Sequence, residues 1–289
     1  MTTVGLIGLG AMGSRIAHRL LDAGCALVVT NRTASRAEEL CARGAAWAST
    51  PRELAARCDV VMSLVTDDAA SRAVWCDPEH GALAGMRTGA VLVESSTVTP
   101  HWIGALADAA RAAGCVLLDA PVVGSRPQAD AGALVYLVGG DAEILQRVHK
   151  ALDVSASAVH HVGPQGAGAT LKLVVNTIFA VQVASLGEML GLAERAGLGR
   201  KAVIDLLAAL PVTSPALRGI GALIEQRQYA PLFPIDLVLK DLRYLRETAE
   251  HLGGDAPIAT SVCDVYANAQ ANGLGDLNIA GVARLFDPS

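Results

Sequence analysis

Short apolar runs alternate with helical periodicities along the first half of the chain. Residues 4–7, 26–30, 59–65 and 90–94 are nearly continuous apolar stretches of strand length, the pattern of strands buried on both faces. Residues 45–48, 116–119, 134–138 and 159–162 read as further strands. Over residues 11–24, Ile16, Ala17, Leu20 and Leu21 share one helical face, Arg15 and Arg19 the other, and Gly24 ends the pattern. Residues 34–43, 67–75, 100–113 and 141–152 carry more helices. Ser49-Thr50-Pro51-Arg52-Glu53 is a helix start, with proline at the first position and an acid in the first turn. Strands alternating with helices predict an α/β domain with a doubly wound, mostly parallel sheet.

The pattern changes at the glycine-rich stretch 163–168. Beyond it no strand is expected, and residues 169–196, 200–209, 216–225, 235–252, 258–272 and 279–285 read as helices. The expected organisation is an N-terminal domain of residues 1–162 and an all-α C-terminal domain of residues 163–289. The helix over 169–196 has no strong polar face, so it is expected in a domain or subunit interface.

Composition narrows the function. The chain has 289 residues, 52% hydrophobic and only 3% aromatic, so its cores are built from Ala, Val, Leu and Ile. A net charge of −5 and the lack of a basic run argue against nucleic acid. The apolar runs look too short or too interrupted for a membrane span, and neither a membrane partner nor a signal peptide is expected. The six cysteines form no C-x-x-C pair and fit no zinc spacing, so no metal site and a reducing, cytoplasmic location are expected.

The candidate chemistry begins at Gly8-Leu9-Gly10-Ala11-Met12-Gly13. It has the G-x-G-x-x-G spacing, follows the first strand and opens the first helix, the arrangement that cradles a dinucleotide pyrophosphate. The second strand ends at Asn31-Arg32-Thr33 rather than at an acid. A carboxylate there would repel a ribose 2′-phosphate, whereas Arg32 can pair with it, so NADP(H) is the expected cofactor. Ligands lie beyond the carboxyl ends of the strands in such a sheet, which brings in Val65, Thr97 and the segment Val123-Gly124-Ser125. Thr97 can offer a hydroxyl to the nicotinamide side. Gly124 and Ser125 can offer N–H groups, and Ser125 a hydroxyl, to a substrate carboxylate or carbonyl.

Lys172 is the sharpest catalytic candidate. It is one of four lysines and stands in the apolar helix Ala-Thr-Leu-Lys-Leu-Val-Val-Asn. Burial of a lysine is costly unless it is paired or functional, and it lowers the pKa toward that of a neutral-pH proton donor. Asn176 follows one turn later on the same face. Together they can polarise a carbonyl and protonate the developing alkoxide while a hydride arrives.

These residues resemble the β-hydroxyacid dehydrogenases, which include 3-hydroxyisobutyrate, tartronate semialdehyde and succinic semialdehyde reductases. The resemblance rests on the glycine turn, on Ser96-Thr97 with Pro100, and on Asp119-Ala120-Pro121-Val122-Val123-Gly124-Ser125. It extends to Gly163, Gly166 and Gly168 with Lys172 and Asn176, and to Lys240-Asp241-Leu242, in that order along essentially the whole chain. It implies a Rossmann domain joined by a long helix to a helical, commonly dimer-forming domain. It also implies Lys172 as acid/base, Asn176 on the substrate and Lys240 near the cofactor. The substrate would be a small carbonyl or hydroxy acid, such as a semialdehyde. Two departures stand out. Val123 occupies the usual serine position, and Ser125 is followed by Arg126, which is suited to a substrate carboxylate. Imine reductases are similar in the glycine turn and domain plan, but they usually carry Asp or Tyr where Lys172 stands. A non-catalytic NADP-binding scaffold is the alternative of another class.

Overall fold

The structure is a computed structural model and describes residues 2–288. The chain divides into two compact units, the first ending at Lys172 and the second starting at Leu173.

The first unit is built around a nine-stranded sheet. In chain order its elements are β1 (Thr3–Ile7), α1 (Gly13–Asp22), β2 (Ala26–Thr30), α2 (Glu38–Ala42), β3 (Ala46–Trp47), α3 (Pro51–Ala55), β4 (Val60–Ser63) and α4 (Asp68–Cys76). They continue with β5 (Val91–Glu94), α5 (Pro100–Ala112), β6 (Val116–Asp119), β7 (Val122–Val123), α6 (Arg126–Asp130), β8 (Leu134–Gly139), α7 (Ala142–Asp153) and β9 (Ala156–Gly163). The strand order is β3-β2-β1-β4-β5-β6-β8-β7, with β9 also paired to β8. From β3 through β6 every pairing is parallel, as is β8 with β9. β8 runs antiparallel to β6 and β7.

The apolar runs serve two faces at once. Val91 and Val93 of β5 enter one core with Ile16 and Leu20 of α1, while Leu92 enters the other with Trp75 and Trp102. Helix starts follow their local chemistry. The Thr50 side chain accepts the Glu53 N–H, Asp67 accepts that of Ala70, and Thr99 accepts that of Trp102. The two-residue β7 and the short α6 are additions to the expected elements.

The long helix α8 (Ala167–Arg195) starts in the first unit and continues into the second. There it is followed by α9 (Arg200–Ala209), α10 (Pro215–Glu225), α11 (Ile235–His251), α12 (Pro257–Ala271) and a 3₁₀ segment Ile279–Phe286. Ala180, Val183, Ala184 and Leu190 of α8 belong to the core of this unit, with Val238, Leu239 and Tyr266.

One expectation is corrected here. By length and composition α8 is sufficient to cross a membrane, with a window of mean hydropathy 1.6, of which 33% is buried. Its charges do not interrupt it because Lys172 stands near one end and Glu188, Glu194 and Arg195 toward the other. A core helix of a soluble protein has the same composition.

Leu190→Ala should lower unfolding stability by about 2–5 kcal/mol, since Leu190 is 1% exposed. Leu192→Ala should change it by less than about 0.5 kcal/mol, since Leu192 is 59% exposed. Chemical denaturation of both variants checks this, and an equal loss in the two would show that the outer face of α8 is covered in solution.

Candidate active site

The glycine turn after β1 divides its tasks among three positions. Gly8 adopts φ +95°, and a Cβ there would lie 2.3 Å from the Leu64 carbonyl oxygen. At Gly13 a Cβ would lie 1.9 Å from the Gly8 carbonyl oxygen, so only glycine lets α1 start this close to β1. Gly10 has nothing within 4 Å of its Cβ position, an open cradle beside the helix start. No side chain caps α1, its Ser14 N–H donates to the Gly10 carbonyl at 3.1 Å, and a helix start of this kind attracts a phosphate.

Asn31 stiffens this turn. Its Oδ1 accepts the Leu9 N–H at 2.9 Å, and its Nδ2 donates to the Thr33 carbonyl at 2.9 Å. Arg32 and Thr33 are exposed at the end of β2. Arg36, which sequence reasoning passed over, donates to the Leu9 carbonyl at 3.4 Å and thus lies against the turn. Arg32 thus follows β2 directly, Arg36 reaches the glycine turn, and no carboxylate takes the Asn31 position. The glycine turn and its open cradle fit a nicotinamide dinucleotide.

The turns after β4 and β5 are tied to each other. The Val65 N–H donates to Ser96 Oγ at 2.8 Å, and Asp68 accepts both the N–H and the hydroxyl of Thr99, at 2.9 and 2.6 Å. Thr97, between these ties, is half-buried.

At the end of β6, Asp119 is fully buried and binds the start of α8. Its Oδ1 accepts the Gly166 N–H and its Oδ2 the Ala169 N–H, each at 2.8 Å. The approach is so close that a Cβ on Gly139 would fall 2.5 Å from Oδ1, and one on Gly168 2.3 Å from the Leu137 carbonyl oxygen. Burial pushes the Asp119 pKa up to about 6, and the N–H groups of Gly166 and Ala169 pull it back down. The sequence offered Asp119 only as the head of the Asp-Ala-Pro-Val segment.

In that segment Val123 is half-buried in β7, and Gly124 adopts φ +123°. Ser125 forms a capping box with Gln128 at the start of α6. Its N–H, expected to face substrate, donates instead to Gln128 Oε1 at 2.9 Å. Arg126 follows, and its Nε is buried without a hydrogen-bond partner.

Lys172 is buried on α8, at 8% exposure. In the second unit, Asn176 donates from Nδ2 to Asp241 Oδ2 at 2.6 Å. Asp241 Oδ1 lies 3.1 Å from Lys240 Nζ, which also stands 5.0 Å from the centre of the Tyr244 ring. Asp241 thus fixes both the amide and the ammonium, a role not read from the Lys-Asp-Leu triplet.

Comparison with known proteins shows the family. Residues 3–163 match the family described as the NAD binding domain of 6-phosphogluconate dehydrogenase. Residues 166–286 match the one described as NAD-binding of NADP-dependent 3-hydroxyisobutyrate dehydrogenase. The chain belongs to the β-hydroxyacid dehydrogenase family. It is an NAD(P)-dependent oxidoreductase acting on CH–OH groups, with the Rossmann-plus-helical fold of that family. It is 31% identical to glyoxylate/succinic semialdehyde reductase 2 of Arabidopsis thaliana, over 97% of this chain and 78% of that one. It is also 31% identical to the NAD-dependent L-serine dehydrogenase of Pseudomonas aeruginosa, over 100% of this chain and 99% of that one. A solved 3-hydroxyisobutyrate dehydrogenase of Mycobacterium tuberculosis with L-serine superposes with a TM-score of 0.91 at 27% identity, covering 100% of both chains.

Asp119 yields a pH test. Its pKa is raised above the ordinary 3.8, so the folded chain holds this proton more tightly than the unfolded one. The stability it contributes is present below that ordinary value and is lost as pH rises through about 6. The stability of the parent over Asp119→Asn should therefore be larger at pH 5 than at pH 7.5, by roughly 1 kcal/mol. A pH-independent difference in urea unfolding would contradict this.

Proposed function

We propose that this protein is an NADP-dependent reductase of a small aldehyde or keto acid bearing a carboxylate, working reversibly on the corresponding hydroxy acid. The observation that carries the reading is Lys172. This lysine is buried on the helix that Asp119 fastens to the sheet carrying the glycine turn. Residues 1–162 serve as the NADP-binding domain and residues 163–289 as the helical substrate and dimerisation domain.

The glycine turn, Gly8 to Gly13, receives the pyrophosphate. Arg32, Thr33 and Arg36 receive the 2′-phosphate, and Val65, Thr97 and Lys240 complete the cofactor set. When bound, the nicotinamide supplies or accepts a hydride. Lys172 Nζ gives its proton to the carbonyl oxygen as the carbon is reduced, and takes it back in the oxidation. Asn176 is fixed by Asp241 on one amide hydrogen, so its remaining donor and its oxygen are held in one orientation for the substrate. Val123, Gly124 and Ser125 line the substrate segment. The unpartnered Nε of Arg126 supports a charge-assisted pairing with the substrate carboxylate.

A second reading, reduction of a C=N bond, is favoured by one observation alone, the apolar Val123 at a position suited to a hydroxyl. The exposed apolar residues Leu171, Val174, Ile178, Met189 and Leu192 of α8 support assembly into a homodimer or larger homo-oligomer. Six free cysteines support a cytoplasmic location.

Lys172→Ala should reduce kcat by roughly 10²–10⁴-fold while NADPH still binds. Steady-state rates together with a direct binding measurement test this, and near-parental turnover would refute the mechanism. Arg32→Ala should weaken NADPH about tenfold and leave NADH nearly unchanged. Equal losses for the two cofactors would remove the NADP assignment.

A further inference from the structure

Glu94, at the end of β5, is fully buried and has no cation bonded to it among the described residues. A buried carboxylate is costly unless its oxygens are all hydrogen-bonded. Glu94 meets that condition with three donors. Oε1 accepts the Ser96 N–H at 2.8 Å. Oε2 accepts the Ser71 hydroxyl at 2.5 Å and the Trp75 indole N–H at 2.8 Å. Ser71 Oγ in turn accepts the Trp102 indole N–H at 2.8 Å. One carboxylate thereby joins β5, α4 and α5 directly beneath the two turns that are tied through Ser96 and Val65.

The strand order gives this place a meaning. Arg32 marks the end of β2, the glycine turn follows β1, and β4 and β5 come next across the sheet. A dinucleotide whose 2′-phosphate sits at β2 and whose pyrophosphate sits at β1 extends its nicotinamide half over the β4 and β5 turns. We infer that Glu94 is a positioning residue for the nicotinamide half of the cofactor, acting through Ser96 and Val65 without touching the cofactor. This rests on the NADP reading above.

The substitution Glu94→Gln breaks the arrangement whichever way the amide is placed. Its single oxygen cannot serve both sides, so its NH₂ group faces either the Ser96 N–H or the Trp75 N–H. The adenosine half, whose 2′-phosphate is assigned to β2 three strands away, keeps its own contacts. Adenosine 2′,5′-bisphosphate and NADPH therefore separate local positioning from general loss of structure.

Calorimetric titration of the parent and of Glu94→Gln with both ligands is the test. The expected result is binding of adenosine 2′,5′-bisphosphate within about twofold of the parent, with NADPH weakened at least tenfold. Unchanged NADPH affinity, or equal weakening of both ligands, would overturn the inference and leave Glu94 as packing alone. A parent protein that does not bind NADPH would overturn the cofactor reading itself. Should Glu94→Gln fail to fold, Ser96→Ala removes only the link from Val65 and carries the same test. It should weaken NADPH several-fold and spare adenosine 2′,5′-bisphosphate, and equal binding of NADPH by parent and variant would overturn the inference.

Discussion

The carboxylate of Asp119 is the constraint on which the site depends. The first N–H groups of a helix lack helical partners, and from the end of β6 Asp119 accepts that of Ala169 in the first turn of α8 and that of Gly166 just before it. Gly139 and Gly168 give up side chains so that strand and helix approach closely enough for these bonds. The helix start is thus fixed to the carboxyl end of the sheet, where ligands bind in folds of this kind. Lys172 stands little more than one turn further along that helix, so its place follows from the clamp. The cost is a buried acid, which shows in the upward pull on its pKa.

A second group of ties acts on the cofactor side. Asn31 bonds the glycine turn, Ser96 bonds Val65, and Asp68 bonds Thr99. Each joins one loop at the carboxyl edge to the next, so the edge is organised before any ligand arrives. Such preorganisation reduces what binding must spend on ordering loops. In the second unit Asp241 does the same for Asn176 and Lys240. Two acids, Asp119 and Asp241, thus hold the helix of Lys172 and the side chains of Asn176 and Lys240.

Much of this was legible in the sequence. The parallel strands are apolar throughout because both faces are covered, and that signal is strong at β1, β2, β4 and β5. Helix starts were legible where a capping side chain and a proline coincide, as at Thr50-Pro51 and Thr99-Pro100. The antiparallel edge was not, because β7 has two residues and α6 five. The link from β7 to β8 is too short for the crossover that a parallel pair needs, which forces the reversal. Lys172 and Asn176 were visible as polar residues on an apolar helix, and the glycine turn by its spacing. The partners of these residues were hidden. Asp119 meets Gly166 and Glu94 meets Ser71 only after folding, and no local period marks such pairs. Ser125 shows the opposite error, since its turn position suggested a free N–H, and Gln128 takes that donor. The membrane-length apolar stretch of α8 was misjudged because isolated charges at its ends were read as interruptions.

The central claim is that a hydride passes between NADPH and a small carbonyl at this edge. It is tested most directly by following NADPH oxidation by the purified protein with succinic semialdehyde, glyoxylate, methylglyoxal and a cyclic imine in parallel. The account predicts turnover of a carboxylate-bearing aldehyde, with the imine inert. Turnover of the cyclic imine alone would contradict it, and would show that Val123 defines the substrate more than Arg126 does.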